Sequence, residues 1–449
     1  GVPKDVLQFV STEDNEIGQA LITHEDVHAV ILTGGYNTAR LFSSWKNELN
    51  LLAETSGKNS MVLTACCDID LAVKDLVQSA FGHAGQKCSA ASLAIVDKNI
   101  YENPNFKKQL LDAVQSLQVG AGYKYATSVG PIIKPAEKSL QRALTTLDEG
   151  EEWLLQPKQL DQAGLLWSPG IKTNIKPGSW SHLNEWFGPV LAIMISPDLK
   201  TSINWQNATE FGLTAGIQSL DQGECEEWIE NVEAGNLYVN RGVTGAIVNR
   251  QPFGGWKRSS VGATAKAGGA NYVATLRNWH QMKHFLPMKE AANKWLNTVG
   301  KLALDKSGLE VEKNYQRYRH YKKGFLIRIE SGTSKDELDF LSWLKNELGV
   351  LTRLSSDTLI PGLSNLVVES PTEFAEHAKE FDRARWLSSE IAPIYQLIEN
   401  GVSCDMRPIT SRGDVEMSRW FLEQSVSITQ HRYGNTNAGP KPSCIGLSR

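Results

Sequence analysis

The decapeptide FGHAGQKCSA, Phe81–Ala90, sets one thiol, Cys88, among glycine, alanine and serine. A thiolate adds to an electrophilic carbonyl when the space beside it admits the carbonyl and backbone N–H groups can hold the oxyanion that forms. Small neighbours leave room for both. The same composition suits a packed turn in which cysteine is a small hydrophobe, and the loop alone leaves both readings open. His83, five residues before the thiol, is more simply a structural loop residue than half of a Cys–His pair.

The flanking elements must hold this loop. Ala29 to Leu32 is a short apolar run ending at Thr33-Gly34-Gly35, which predicts a buried strand entering a glycine turn, with helix from Thr38 to Glu48. A second apolar run covers Ser60 to Ala65. From about Asp70, Val73, Leu76, Val77, Ala80 and Phe81 follow the spacing of an amphipathic helix. ASLAIVD (91–97) predicts a strand, and Phe106, Leu110, Ala113, Val114 and Leu117 predict the next helix. Alternating strands and helices point to an α/β protein with parallel sheets. Cys88 then lies in a loop between a helix and a strand, where rigid elements can position chemistry.

The 449 residues suffice for two or three cores, and 41% apolar with 21% charged residues is the composition of a folded globular chain. A net charge of −4 argues against a nucleic-acid or membrane-surface partner and leaves a small-molecule substrate. No apolar run has the length of a spanning helix. The six cysteines, at 66, 67, 88, 225, 404 and 444, form no CxxC pair and no framework spacing, so reduced thiols in a cytoplasm and no metal site are expected.

AETSGKNS (53–60), FGHAGQKCSA (81–90), NEWFGPVLA (184–192) and NLYVNRGVTGAIVNRQPFGGWKRSSVGATAKAGG (236–269) occur in that order. With the glycine turn at 33–35 and the preceding GVPKDVLQFV, they resemble the aldehyde dehydrogenase superfamily over about residues 1–285. The long last motif resembles the L-glutamate γ-semialdehyde (Δ1-pyrroline-5-carboxylate) dehydrogenases. RPITSRGDVEMSRWFLEQSVSITQHRYGNTNAG (407–439) resembles the C-terminal extension of bifunctional proline utilization A proteins.

The resemblance implies an aldehyde dehydrogenase fold: an incomplete Rossmann-type NAD domain and an α/β catalytic domain, then a smaller Rossmann-like C-terminal domain. The expected boundaries are 1–55 for the cofactor part, 56–250 catalytic and 251–287 returning to the cofactor domain. A helical linker over 288–323 and the C-terminal domain with a terminal flap over 324–449 follow. Capping residues Ser334 and Glu337 and a stop at Gly349 predict one of its helices. GFLIRIE, NLVVE, ARWL and SCDM predict strands. This domain shows no phosphate loop and no nucleophile motif around Cys404, which reads as a non-catalytic lid or assembly element.

By the same resemblance Cys88 is the nucleophile and Glu54 the general base. Thr33, Gly34, Gly35, Thr55, Glu185 and Phe187 hold NAD, Glu185 gripping the nicotinamide ribose. Ser89, Gly245 and Ala246 receive the substrate's α-carboxylate, and Phe253 lines the aldehyde tunnel. The implied reaction is NAD-dependent oxidation of L-glutamate γ-semialdehyde to L-glutamate, the second step of proline catabolism. FAD belongs only to a preceding proline dehydrogenase domain or partner, and a homo-oligomer is expected. Alternatives are another acidic semialdehyde, such as succinate semialdehyde, or a non-catalytic module. Departures from the family are Ser56 and Ser260 where glycine is common. The start at Gly1, inside the cofactor domain, implies an N-terminally truncated chain that lacks full activity.

Overall fold

The computed structural model describes residues 1–13, 15–263, 265–277, 288–363, 365–432, 435–436, 439–440 and 442–443. Cys444 and residues 278–287, the expected end of the return segment, lie outside them. Two strands, β1 (Val30–Thr33) and β2 (Leu51–Glu54), run parallel, with helix α1 (Tyr36–Trp45) between them. The segment Ser260–Gly262 pairs antiparallel with β2 and completes a three-stranded sheet.

From Glu54 the chain passes into a ten-stranded sheet through β3 (Asn59–Leu63). Helix α2 (Ile69–Phe81) follows, capped at its N-terminus by Asp68, whose side chain accepts from the N–H groups of Asp70 and Leu71. Its buried stripe includes Val73, Leu76, Val77, Ala80 and Phe81. Each such side chain contributes roughly 1.5–3 kcal/mol by leaving water. After the Cys88 loop comes β4 (Ala91–Asp97), parallel to β3. Asn236–Val239, Thr214–Gln218, β3, β4, Val190–Ser196 and Gly170–Thr173 form the parallel centre of this sheet.

Helix covers only the first part of the expected 288–323 linker, from Met288 to Trp295, with a π turn to Gly300. Leu304–Asp305 and Glu312–Arg319 are strands, and Glu312–Arg319 lies antiparallel against Leu422–Thr429. Leu422–Thr429 in turn runs parallel to Asn236–Val239. Leu422–Thr429 therefore belongs to the central sheet and not to the smaller unit that precedes it. The cause lies in the side chains: the buried positions of 312–319 are Glu312, Asn314, Arg317 and Tyr318, which do not make the apolar alternation that announces a strand. Arg317, fully buried, is met by Glu230 Oε1 at 2.6 Å, Gln424 Oε1 at 2.8 Å and the Ile229 carbonyl at 2.8 Å.

The smaller unit is a five-stranded parallel sheet in the order Val367–Val368, Thr352–Ser356, Phe325–Arg328, Arg383–Trp386, Ser403–Asp405. Helix Lys335–Leu348 carries the capping box of Ser334 and Glu337 and ends at Gly349 with φ 65°. Ala39, Phe42, Leu51 and Val261 share one apolar cluster with Phe374, Trp386 and Leu397, so this unit and the β1–β2 sheet have a common core. Among the described residues no helix is long and apolar enough to cross a membrane.

Glu416 anchors the return to the central sheet. Fully buried, it accepts from Arg385 at 3.3 Å, Trp420 Nε1 at 2.9 Å, the Thr410 N–H at 3.0 Å and Arg419 at 3.2 Å. Removing one partner of a buried charge network leaves the others uncompensated. Glu416→Ala should cost about 3–5 kcal/mol in urea unfolding followed by tryptophan fluorescence. Asp414→Ala, which breaks the exposed pair with Arg412, should cost under about 1 kcal/mol.

Candidate active site

Thr33 stands opposite Glu54 in the parallel register, so the glycine turn and Glu54 leave the sheet side by side. The Gly34 N–H donates to the Glu54 carbonyl at 3.2 Å, and Ser260 faces Glu54 from the other flank. A Cβ on Gly35, the residue capping α1, would come no nearer than 4.0 Å to Thr38 Oγ1, and the Tyr36 N–H that follows it donates to Ser56 Oγ at 3.3 Å. Thr55 is spent on structure. Its N–H donates to the Ser259 carbonyl at 3.0 Å and its hydroxyl to the Arg258 carbonyl.

The Cys88 loop needs its small residues for a measurable reason. His83, Ala84 and Gly85 have φ of 55°, 53° and 68°, a left-handed run that costs roughly 1–2 kcal/mol for each residue with a Cβ. A Cβ on Gly85 would sit 2.2 Å from the Gly188 carbonyl oxygen, so the 185–188 segment packs directly on this turn. Gln86 bridges the two, donating to the Phe187 carbonyl at 3.1 Å and accepting from the Ile133 N–H at 2.9 Å. Phe187 itself is held at φ 53° with its ring 41% exposed. Asn59 then fixes the thiol's own backbone, donating to the carbonyls of Cys88 at 2.6 Å and Ala90 at 3.0 Å.

Cys88 is half-buried, and burial followed by the negative charge of Glu54 pushes its thiol above the ordinary value. The N–H groups of Ser89 and Cys88 face the sulfur and work against that rise. Glu54 is displaced further. Burial pushes its carboxyl up to about 8, against the pull of the Gly255 N–H, which donates at 2.9 Å, and of Lys266.

Glu185 accepts from the Gly57 N–H at 2.9 Å, and burial raises its carboxyl while Gly57, Ser56 and Lys58 oppose the shift. Ser56, one of the departures, thus supports Glu185 with its hydroxyl. Lys58 is buried with its ammonium 3.3 Å over the Trp186 ring and without a hydrogen-bond partner, and burial drives it well below the ordinary lysine value. Gly57, Glu185, Phe187 and Gly188 line a small open cleft.

Tyr238 connects this centre to the 245–246 turn. Its hydroxyl donates to the Gly245 carbonyl, and Cys88 lies close enough to act on its ionisation. Ala246 is exposed, whereas Ser89 is buried with its carbonyl accepting from Thr214 Oγ1 at 3.3 Å. Phe253, half-buried, pairs through its backbone with Ala267. Glu54, Cys88 and Glu185 thus converge. The glycine turn joins them through β2, and Gly245 through Tyr238.

A family model described as the aldehyde dehydrogenase family matches residues 1–284. The chain belongs to the aldehyde dehydrogenase family. It is 33% identical over 285 residues to 1-pyrroline-5-carboxylate dehydrogenase 1 of Halalkalibacterium halodurans, covering 61% of this chain and 54% of that one. It is 35% identical over 282 residues to the 1-pyrroline-5-carboxylate dehydrogenase of Staphylococcus saprophyticus, with the same coverage of 61% and 54%. The chain thus spans about half the length of the curated relatives it matches. Among solved structures, proline utilization A from Corynebacterium freiburgense aligns with a TM-score of 0.82 and 42% identity, over 94% of this chain and 44% of that one. A Thermus 1-pyrroline-5-carboxylate dehydrogenase with bound NAD aligns with a TM-score of 0.55 and 29% identity, over 61% and 54%.

Four residues around Glu54, Cys88 and Glu185 escape a reading of the sequence: Asn59, Tyr238, Lys266 and Glu423. All four lie inside the quoted motifs, but the partners of the first three are 29, 7 and 30 residues away. Glu423 offered one signal, a lone carboxylate in the strand-like LEQSVSIT.

The charge that Glu54 exerts on Cys88 is measurable. Alkylation by iodoacetamide requires the thiolate. At pH 9, above the Glu54 value of about 8, Glu54→Gln removes a negative charge and lowers the Cys88 value. Cys88 should therefore be alkylated faster in that variant, followed by peptide mass spectrometry; equal rates would mean that the charge does not reach the sulfur.

Proposed function

We propose that this chain carries the aldehyde-oxidising site of an NAD-dependent L-glutamate γ-semialdehyde dehydrogenase, which forms L-glutamate in proline catabolism. The observation that carries the reading is the convergence of Cys88, Glu54 and Glu185 where the β1–β2 sheet passes into the central one. The names of the relatives support the substrate, and the NAD-bound Thermus structure supports the cofactor.

The residues present fit NAD. The open face of Gly35 at the start of α1 leaves room for a pyrophosphate, and the Glu185 carboxylate borders the cleft beside Phe187. Thr33 and Gly34 complete the turn; Thr55 would contribute through position alone. When bound, NAD supplies the hydride acceptor.

Cys88 adds as thiolate to the aldehyde carbon, and the N–H groups that face its sulfur help to hold the anion in place. Oxidation leaves an acyl group on the sulfur as a thioester. Glu54 then takes a proton from the water that attacks this thioester. A carboxyl at about 8 suits that task, since a general base works best with a value near the operating pH. Ser89, Gly245 and Ala246 would receive the α-carboxylate, and Phe253 would line the approach. The turn's exposure at Ala246 and its tether to Tyr238 support this assignment. FAD enters only through a proline dehydrogenase domain or partner, a pairing that similarity to the Corynebacterium protein supports.

In the full-length protein Cys88→Ala should abolish aldehyde oxidation while NAD binding persists, and near-normal turnover would refute the nucleophile. Charge-assisted hydrogen bonds are worth about 1.5–3 kcal/mol, so Ser89→Ala should lower kcat/KM for glutamate semialdehyde roughly tenfold or more. Propanal has no carboxylate and should react at an unchanged rate. Parallel losses on both substrates would remove the carboxylate anchor from the proposal.

A further inference from the structure

Glu54 does not meet the cleft behind it alone. Gly254 is squeezed between two ionisable residues: a Cβ there would lie 3.2 Å from Glu54 Oε1 and 3.2 Å from Lys266 Cγ. Lys266 is buried, and its ammonium donates to Asn236 Oδ1 at 2.7 Å and the Gly254 carbonyl at 2.8 Å, not to Glu54. Its backbone N–H donates to Glu423 Oε2 at 2.8 Å, and Glu423 also accepts from Asn271 Nδ2. Antiparallel bonds between Phe253 and Ala267, at 2.9 and 2.7 Å, clamp the two segments together. Glu54, Lys266 and Glu423 all border one open cleft, whose wall includes Arg383, Ser403 and Arg407 of the smaller unit.

We infer that Lys266 and Glu423 are positioning residues for Glu54, a cation and an anion that set its proton occupancy from opposite sides, the anion supplied by the C-terminal strand. The inference rests on the reading of Glu54 as the base. Lys266 draws the Glu54 carboxyl down and Glu423 pushes it up, while burial brings Lys266 itself down to about 7. Cys88 and Tyr272 also face Glu54, and Tyr318 and Tyr321 face Glu423; all four are shifted upward and are neutral near pH 7. The charges that act on Glu54 are therefore those of Lys266 and Glu423.

The test uses p-nitrophenyl acetate and the full-length protein without NAD. The ester acylates Cys88 with a burst of p-nitrophenolate, and the steady rate that follows reports water attack on the thioester. Against pH, that steady rate should fall on the acid side as Glu54 becomes protonated. Lys266, at about 7, is only partly charged where Glu54 ionises, so Lys266→Met should move the acid limb to higher pH by less than loss of a full opposite charge would, under about one unit. Glu423→Gln keeps an acceptor for the Lys266 N–H and should move the limb to lower pH. A merely structural role predicts slower rates with an unmoved limb. Limbs that stay put, or move in the same direction, overturn the inference; if Lys266→Met fails to fold, the direction in Glu423→Gln decides alone. Glu54→Gln separates the two readings: an undiminished steady rate there overturns Glu54 as the base, and the inference with it.

Discussion

Glu54 is only partly exposed, with the Gly255 N–H donating to its carboxylate at 2.9 Å and Lys266 acting through space. A carboxylate so poorly solvated ionises reluctantly, because burial penalises the charged form. Everything near it follows from keeping this group enclosed yet able to ionise. Gly254 and Gly255 have no side chains because Glu54, Lys266 and Ser259 occupy the space; a Cβ on Gly255 would meet Ser259 Cβ at 2.5 Å. Burial also raises Cys88, so Cys88 and Glu54 both rest mostly protonated near neutral pH.

Much of this was legible in the sequence. The apolar stripe of α2 and the strands around it show the periods of burial, and the capping box at Ser334 marks its helix from two residues. Cys88 stood out because small neighbours are rare around a thiol. The structure ties that smallness to a left-handed turn packed on the Gly188 carbonyl. Glu54, Cys88 and Glu185 were readable through family resemblance, and their proximity is a property of the fold.

What escaped is what depends on distant partners. Glu423 lies 157 residues from Lys266 along the chain, and nothing local distinguishes it from a surface carboxylate. The strand Glu312–Arg319 looked like part of a polar helix because its buried positions include Glu312, Asn314 and Arg317 beside Tyr318, with Glu312 and Arg317 on opposite faces. Glu312 pairs with Arg241 at 3.1 Å and with Arg250, and Arg317 with Glu230. Polar positions satisfied across a sheet carry no periodic apolar signature.

Strand register decides which way Glu423 points. Leu422–Thr429 pairs with Asn236–Val239 so that Ser425 stands opposite Asn236, and with Glu312–Arg319 so that Glu423 stands opposite Tyr318. Side chains alternate along a strand, so a slip of one residue would send Glu423 to the opposite face and empty its place beside Lys266. Three bonds from outside the strand resist that slip. Gln424 Nε2 donates to the Ala234 carbonyl at 2.8 Å, the Ser425 N–H to the Gly235 carbonyl at 2.9 Å, and Ser425 Oγ to the Pro252 carbonyl at 2.6 Å. Pro252 immediately precedes the Phe253–Gly255 segment that cradles Glu54. The bonds that hold Leu422–Thr429 in register therefore also hold the segment against which the carboxylate rests, so Glu423 and Glu54 are positioned by one set of contacts.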